Sequence, residues 1–273
     1  MKAYLCLLIT FVLFFQNSVD ALGPILREPK ILVLIISSNN MQAYIDLQGI
    51  WKQYMNSDPE HFEVYFIAAS PDLATPYEIK GNYLTVKGEE SYVPGIIDKT
   101  MLALEAMQPR LKEFDYVLRT NLSSFYVFPR LLNFVKTLPK YRCYCGVQLY
   151  LPETHLGLIN FVSGAGILLS RDLAQMLINE KDKIFKINKD LPDDVLIGYF
   201  FQNAHIASRP AQRTDFPTFI DWAIRKNQIP ANSFHFRAKN NYNQRSSEEN
   251  FNEEIAIDKE LLKMFYPKTT PIK

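Results

Sequence analysis

The sequence predicts an α/β protein with a mixed, mostly parallel sheet flanked by helices. Two observations carry this. Apolar runs rich in Ile and Val, such as ILVLIISS (Ile31 to Ser38), read as strands buried on both faces of a sheet. These runs alternate with stretches of helical periodicity, the pattern of βαβ units. A chain of 273 residues with 48% apolar content also has enough material for a sizeable core.

The elements follow in order. After the first strand, Asn39 and Asn40 stand where a helix cap belongs, and Tyr44, Leu47, Trp51 and Tyr54 recur at helical spacing. FEVYFIAA (Phe62 to Ala69) is the second strand. Pro and Gly turns in LATPYEIKGNYLTV lead to a short strand, and a helix starts near Pro94. FDYVLRT (Phe114 to Thr120) returns to strand, Pro129 opens a short helix, and YRCYCGVQLY is strand again. FVSGAGILLS (Phe161 to Ser170) is β-rich and broken by Gly164 and Gly166, with Ser170 placed to cap the helix RDLAQMLIN. Another helix begins at Pro192. The tail reads as a strand or loop around HFRAKNN and a last helix, separated by NNYNQRSSEENFNEE, whose composition favours disorder.

Composition narrows the function classes. Thirty basic residues against 29 acidic leave a net charge of +1, so no global field points to nucleic acid or an anionic membrane. The N-terminus carries one lysine, an apolar run from Ala3 to Phe15, a polar spacer and the small-residue pattern Val19-Asp20-Ala21. This is a secretory signal over residues 1–21, followed by a single domain over 22–273. The apolar run is about 13 residues, short of the roughly 20 that span a bilayer, so the expected location is the secretory lumen or the cell exterior, with a short signal anchor as the alternative. Of three cysteines, Cys6 leaves with the signal. Cys143 and Cys145 share one face of a strand, suiting half-buried thiols better than a disulfide framework or a zinc site.

Three segments in order resemble the β1,3-glycosyltransferases, the family of β1,3-galactosyltransferases and fringe enzymes. DYVLRTNLSSFYVFPRLL resembles its YVLKTDDDVFVNP block, FVSGAGILLSRDLAQML its CSGGGYVLSRDLA block, and PDDVLIGYF its acidic EDVYVG or DDCTIGY block. The likeness covers roughly residues 30 to 205. It implies a GT-A-like, Rossmann-like fold, a nucleotide-sugar donor and a glycan or glycoprotein acceptor. In the family's inverting mechanism a carboxylate takes the proton of the acceptor hydroxyl as it attacks the anomeric carbon.

Carried over residue by residue, the acidic block makes Asp194 the base, with Asp193 as the alternative. The same Pro-Asp-Asp pattern also suits helix capping. Lys99 and Thr100 fall on the family's donor-facing Lys-Thr pair, although a lysine on a helix surface is equally ordinary. Arg119, in the strand block, joins the donor set. Gly164 and Gly166 either let backbone approach sugar hydroxyls or simply form a turn.

The family's metal-binding aspartates are missing. Thr120 is followed by Asn121, Leu122, Ser123 and Ser124, and Asp115 lies at the far end of the strand. Mn²⁺ or Mg²⁺ would need other ligands, so no metal is expected. His235, Arg237 and Lys239 alternate, and in an extended chain they would form a basic strip for the diphosphate; a solvated edge strand is the plainer reading. Asn121-Leu122-Ser123 is also formally a glycosylation sequon. His155 and His205 have no assigned partner.

The leading expectation is a glycosyltransferase. A catalytically inactive glycan- or protein-binding module of the same fold is the alternative. A hydrolase is disfavoured, since no GxSxG elbow occurs and the paired carboxylates are chain neighbours.

Overall fold

The structure, a computed structural model, describes residues 27–154, 156–187, 190–239 and 248–267. The expected signal segment and His155 lie outside the described residues, as does the first half of the stretch expected to lack structure. Among the described residues no helix is long and apolar enough to cross a membrane.

The architecture is a mixed, mostly parallel sheet with helices on both faces. Strands β1 (Ile31–Ile36), β2 (Phe62–Ser70), β4 (Tyr83–Lys87) and β5 (Tyr116–Asn121) run parallel as β5-β1-β2-β4, and β3 (Tyr77–Lys80) closes one edge antiparallel. Beyond β5 come β10 (Gly166–Ser170), antiparallel, then β7 (Tyr144–Gly146) and β11 (Ser208–Pro210). Every residue of β1 is buried, and period-two alternation sends its side chains into two cores. Ile31, Val33 and Ile35 join one core with α1 (Gln42–Tyr54) and α8 (Glu248–Phe265), while Leu32, Leu34 and Ile36 join the other with α2 (Gly95–Met107), α4 (Arg171–Asn179) and α6 (Asp193–Asn203). That double burial is why the run is continuously apolar.

Two smaller assemblies sit on the sheet's carboxyl side. β6 (Ser124–Tyr126) and β12 (Thr214–Asp215) flank β13 (His235–Arg237) in a three-stranded sheet. β8 (Gln148–Thr154) and β9 (Gly157–Val162) form an antiparallel ribbon. The segment YRCYCGVQLY is therefore two strands rather than one. Gly146, at φ 155°, marks the break, and any Cβ there would lie 2.3 Å from the Gly166 carbonyl oxygen.

Several local expectations need correction. Met41, not Asn39 or Asn40, holds the cap position of α1, and no side chain caps it; the Asn40 carboxamide instead accepts from Ser38 Oγ at 2.7 Å. Ser170 stands at the cap of α4, but its Oγ accepts the Cys143 N–H at 2.9 Å. Cys143 and Cys145 are free and fully buried rather than half-buried, and burial pushes their thiols up to about 11 and about 12. Finally, α8 begins at Glu248, inside the stretch whose polar composition suggested disorder. Phe251, Ile255, Ile257, Leu261 and Leu262 are buried there, which anchors the helix.

Candidate functional site

A cleft of about 650 Å³ opens at the carboxyl ends of β1 and β5, where Ile36 and Asn121 are register partners. This is where ligands sit in open α/β sheets. Its wall includes Asp193, Asp194, Arg119, Lys99, Arg237 and Lys239, brought together from four separate stretches of the chain.

The turn between β9 and β10 organises the carboxylates. The Gly164 N–H donates to Asp194 Oδ2 at 2.7 Å, while the Gly164 carbonyl accepts from Arg119 Nη1. Arg119 Nη2 forms an ion pair with Asp193 Oδ2 at 2.5 Å, both side chains almost fully buried. The two peptides flanking the Gly164 Cα are thus held, one by Asp194 and the other by the guanidinium that neutralises Asp193. A Cβ on Gly164 would meet Arg119 Nη1 at 2.7 Å and Asp194 Oδ2 at 3.0 Å, so glycine is required here by close approach. At Gly166 a Cβ would meet the Tyr126 hydroxyl at 2.5 Å and His235 Cε1 at 2.8 Å.

The two aspartates have different surroundings. Asp193 is buried and receives the Thr100 hydroxyl at 3.5 Å. Burial pushes its carboxyl up to about 6, with Arg119 opposing the rise. Asp194 is only partly buried and lines the cleft, its Oδ1 accepting the Val195 N–H at 3.0 Å. The capping reading fits only in part. Both carboxylates lie in the first turn of α6, where the helix dipole favours them, but Pro192 holds the cap position without a side-chain bond.

The cations divide into two groups. Lys99 is buried, not on an open helix surface, and its Nζ donates to the Ser37 carbonyl at 2.9 Å and to Glu90 Oε2 at 2.6 Å. Burial lowers its pKa, against the pull of Glu90. Arg237 and Lys239 reach the cleft from the small sheet, where Arg237 is the register partner of Ser124, just past the Asn121 turn.

His235 departs from the basic strip. Its ring is buried, stacked on Tyr126 with centroids 4.4 Å apart, and Nε2 lies 3.3 Å from Ser124 Oγ. Burial, reinforced by Arg213 and Arg237, pushes its pKa well below the ordinary value, so it is neutral and brings no charge to the cleft. Ser123, Thr100 and Gly166 likewise sit behind the cleft surface. Ser123 Oγ donates to Asn121 Oδ1 at 2.8 Å, and Ser124 Oγ lies 3.3 Å from the same oxygen. The Ala165 carbonyl gathers Thr120 Oγ1, Ser124 Oγ and the Tyr126 hydroxyl at 2.6, 2.8 and 3.1 Å, tying the Asn121 turn to the glycine turn. His205 is exposed in a left-handed conformation at φ 53°.

The divalent cation implied by the resemblance does not fit these residues. Asp193 is committed to Arg119, Asn121 Oδ1 already accepts the Ser123 hydroxyl, and among the described residues no three His, Cys, Asp or Glu side chains group as a metal site. Asp115 is remote, its Oδ2 accepting the Lys30 N–H at 2.9 Å.

Sequence reading missed Glu90, the ion partner of Lys99, and the apolar wall Leu149, Leu151 and Phe161. Glu90 lies nine residues before Lys99 in a loop, a spacing with no helical or strand signature. The alternation in QLYLP was a usable signal for the wall.

No family model matches the chain, and no curated protein matches it. Among solved structures it is similar to a glycosyltransferase involved in the glycosylation of the major capsid of PBCV-1, at 7% identity and a TM-score of 0.46, over 85% of this chain and 100% of the other.

Proposed function

We propose that the protein transfers a sugar from a nucleotide-sugar donor to a hydroxyl of a glycan or glycoprotein, with inversion and without a metal. The observation that carries this reading is that Asp194, fixed by the Gly164 N–H, lines the same strand-end cleft as Arg237 and Lys239. Asp194 takes the proton from the acceptor hydroxyl as its oxygen attacks the anomeric carbon. The bond from that carbon to the diphosphate breaks, and the electron pair leaves on the phosphate oxygen. Arg237 and Lys239 stabilise that charge, the arginine by a forked contact and the lysine as a point charge. Asp193 has the supporting role: buried, with Oδ2 paired to Arg119 Nη2, it holds Arg119, which holds Gly164.

A second reading, a binding module without turnover, is favoured by one feature: both oxygens of Asp194 already accept backbone N–H groups, so neither is wholly free to receive the proton of an acceptor hydroxyl. Asp194→Asn separates the two. A transferase should lose about 10²–10⁴ in turnover while still binding nucleotide; a module should show no turnover in either form. Nucleotide diphosphates and their sugars should raise thermal stability by mass action, and the shift should persist in EDTA. Arg237→Ala should weaken it by about 10- to 100-fold in affinity, the worth of a charge-assisted bond. Strict dependence of binding on Mn²⁺ would refute the metal-free site.

A further inference from the structure

The β8–β9 ribbon has two faces with different chemistry. Its register sets Leu149 opposite Phe161 and Leu151 opposite Ile159, with Gln148 opposite Val162 and Tyr150 opposite Asn160. Period two therefore places Leu149, Leu151 and Phe161 toward the cleft, where all three line the wall. Gln148, Tyr150 and Asn160 instead line a second cavity of about 570 Å³ on the other side, closed by Gln202 and His205 from the end of α6 and by Ser208 of β11. Leu149 borders both spaces.

The lining of this second cavity is built rather than incidental. Gln202 Oε1 accepts the Asn160 N–H at 3.0 Å and its Nε2 donates to the Leu158 carbonyl at 3.0 Å, so this amide satisfies the open edge of β9. The α6 helix lies directly on β9, since a Cβ at Gly198 would meet Phe161 Cβ at 2.3 Å. Gln148 Nε2 is fixed on Ser208, to the carbonyl at 3.1 Å and to Oγ at 2.8 Å. Asn160 Nδ2 leans on Gln202 Oε1 at 3.4 Å. The opposite ends of these amides, Gln148 Oε1 and Asn160 Oδ1, take no bond from the described residues and stay open to a ligand. Beside them the Tyr150 ring is 69% exposed and borders the same space. Among the described residues no Asp, Glu, Lys or Arg side chain lines this space.

We infer that this cavity binds an uncharged oligosaccharide. Oriented amides read hydroxyl groups, an exposed tyrosine ring covers the apolar face of a sugar, and a lining without formal charge gives nothing to a phosphate or a carboxylate. Because Leu149 borders both spaces, a glycan seated here can continue over the ribbon into the cleft. That the bound glycan is the acceptor rests on the proposed sugar transfer; that the cavity takes a neutral glycan does not.

The test is saturation-transfer NMR on the full chain with cellotriose, chitotriose, maltotriose and N-acetyllactosamine, with sialyllactose as the charged control. At least one neutral probe should bind at millimolar concentration and more tightly than the charged one. Tyr150→Ala should weaken it about tenfold or more, and Gln148→Ala should weaken it in the same direction. Both substitutions lie on exposed positions, and an unchanged melting temperature of the unliganded variants would show that the fold is intact. The wild-type chain should bind the neutral glycan with or without nucleotide, so failure of uridine diphosphate to bind would sink sugar transfer without touching this result. No binding by any neutral probe, or equal binding by wild type and Tyr150→Ala, would overturn the inference.

Discussion

Arg119 shows how much of the site depends on one buried charge. Its guanidinium neutralises Asp193 and holds the Gly164 carbonyl, so its loss would act on Asp194 only through the turn. Removing one partner of a buried pair leaves an uncompensated charge, which costs about 3–5 kcal/mol, whereas replacing both partners with apolar groups is often near neutral. Arg119→Met alone should therefore destabilise the fold by that amount in urea unfolding. Arg119→Met combined with Asp193→Leu should recover most of the stability but not the turnover, because the Gly164 carbonyl has lost its donor. Equal stability losses in the single and double variants would show that the pair is not the unit described here. The neighbouring glycine explains why residue identity alone was ambiguous. SGAG reads equally as a sugar-approaching loop or a turn, and only the 2.7 Å approach of a Cβ to Arg119 at Gly164 gives glycine its reason.

At the scale of elements, the helices were more legible than their ends. α1, α2 and α6 follow apolar periodicity, but their cap positions, Met41, Pro94 and Pro192, carry no side-chain cap bond; tertiary contact on the sheet fixes them instead. The case of α8 is sharper, because composition around its start pointed away from structure. Within its buried face lie Glu254 and Asp258, four residues apart and each 2% exposed. Burial, with the Glu254 charge adding to it, raises the Asp258 carboxyl well above its ordinary value, and its Oδ1 has no hydrogen-bond partner among the described residues. A carboxyl whose pKa is raised on folding contributes stability that is fully present below its unfolded value near 3.8 and is lost as pH rises toward the folded value. The docking of α8 should accordingly be firmer in mild acid than at neutral pH. Asp258→Asn should remove this dependence, raising the melting temperature at pH 7 by roughly 2–4 °C for each kcal/mol recovered in a chain of this size, with little gain near pH 4. A stabilisation of equal size at both pH values would assign the effect to packing and not to charge.

At the scale of the whole molecule, what the sequence could declare was the succession of strands along the chain, since parallel runs such as Ile31–Ile36 announce themselves by unbroken burial. What it could not declare was which polar residues would face outward once β5 turned into β6. The Asn121 sequon belongs to that second class. Accessible glycosylation sites normally lie on surface loops, but Asn121 ends a central strand, is only partly exposed, and its Oδ1 accepts the Ser123 hydroxyl with Ser124 Oγ 3.3 Å away. It also lines the cleft. If residues 1–21 direct the chain into the secretory route, the sequon meets the glycosylation machinery, and an oligosaccharide on Asn121 would fill the space proposed for the donor. Asn121 should therefore be unmodified in protein purified from a glycosylating secretory host, with a mature N-terminus near Leu22. Intact-mass and peptide mass spectrometry of the secreted protein check both points at once. A glycan on Asn121 would remove the cleft from the mechanism, whereas an uncleaved Met1 would revise only where the protein resides. Asn121→Gln should leave secretion unchanged, because the position carries no glycan to lose, and should weaken nucleotide binding, because the longer side chain pushes the amide out of the hydroxyl cradle that holds it against the cleft wall.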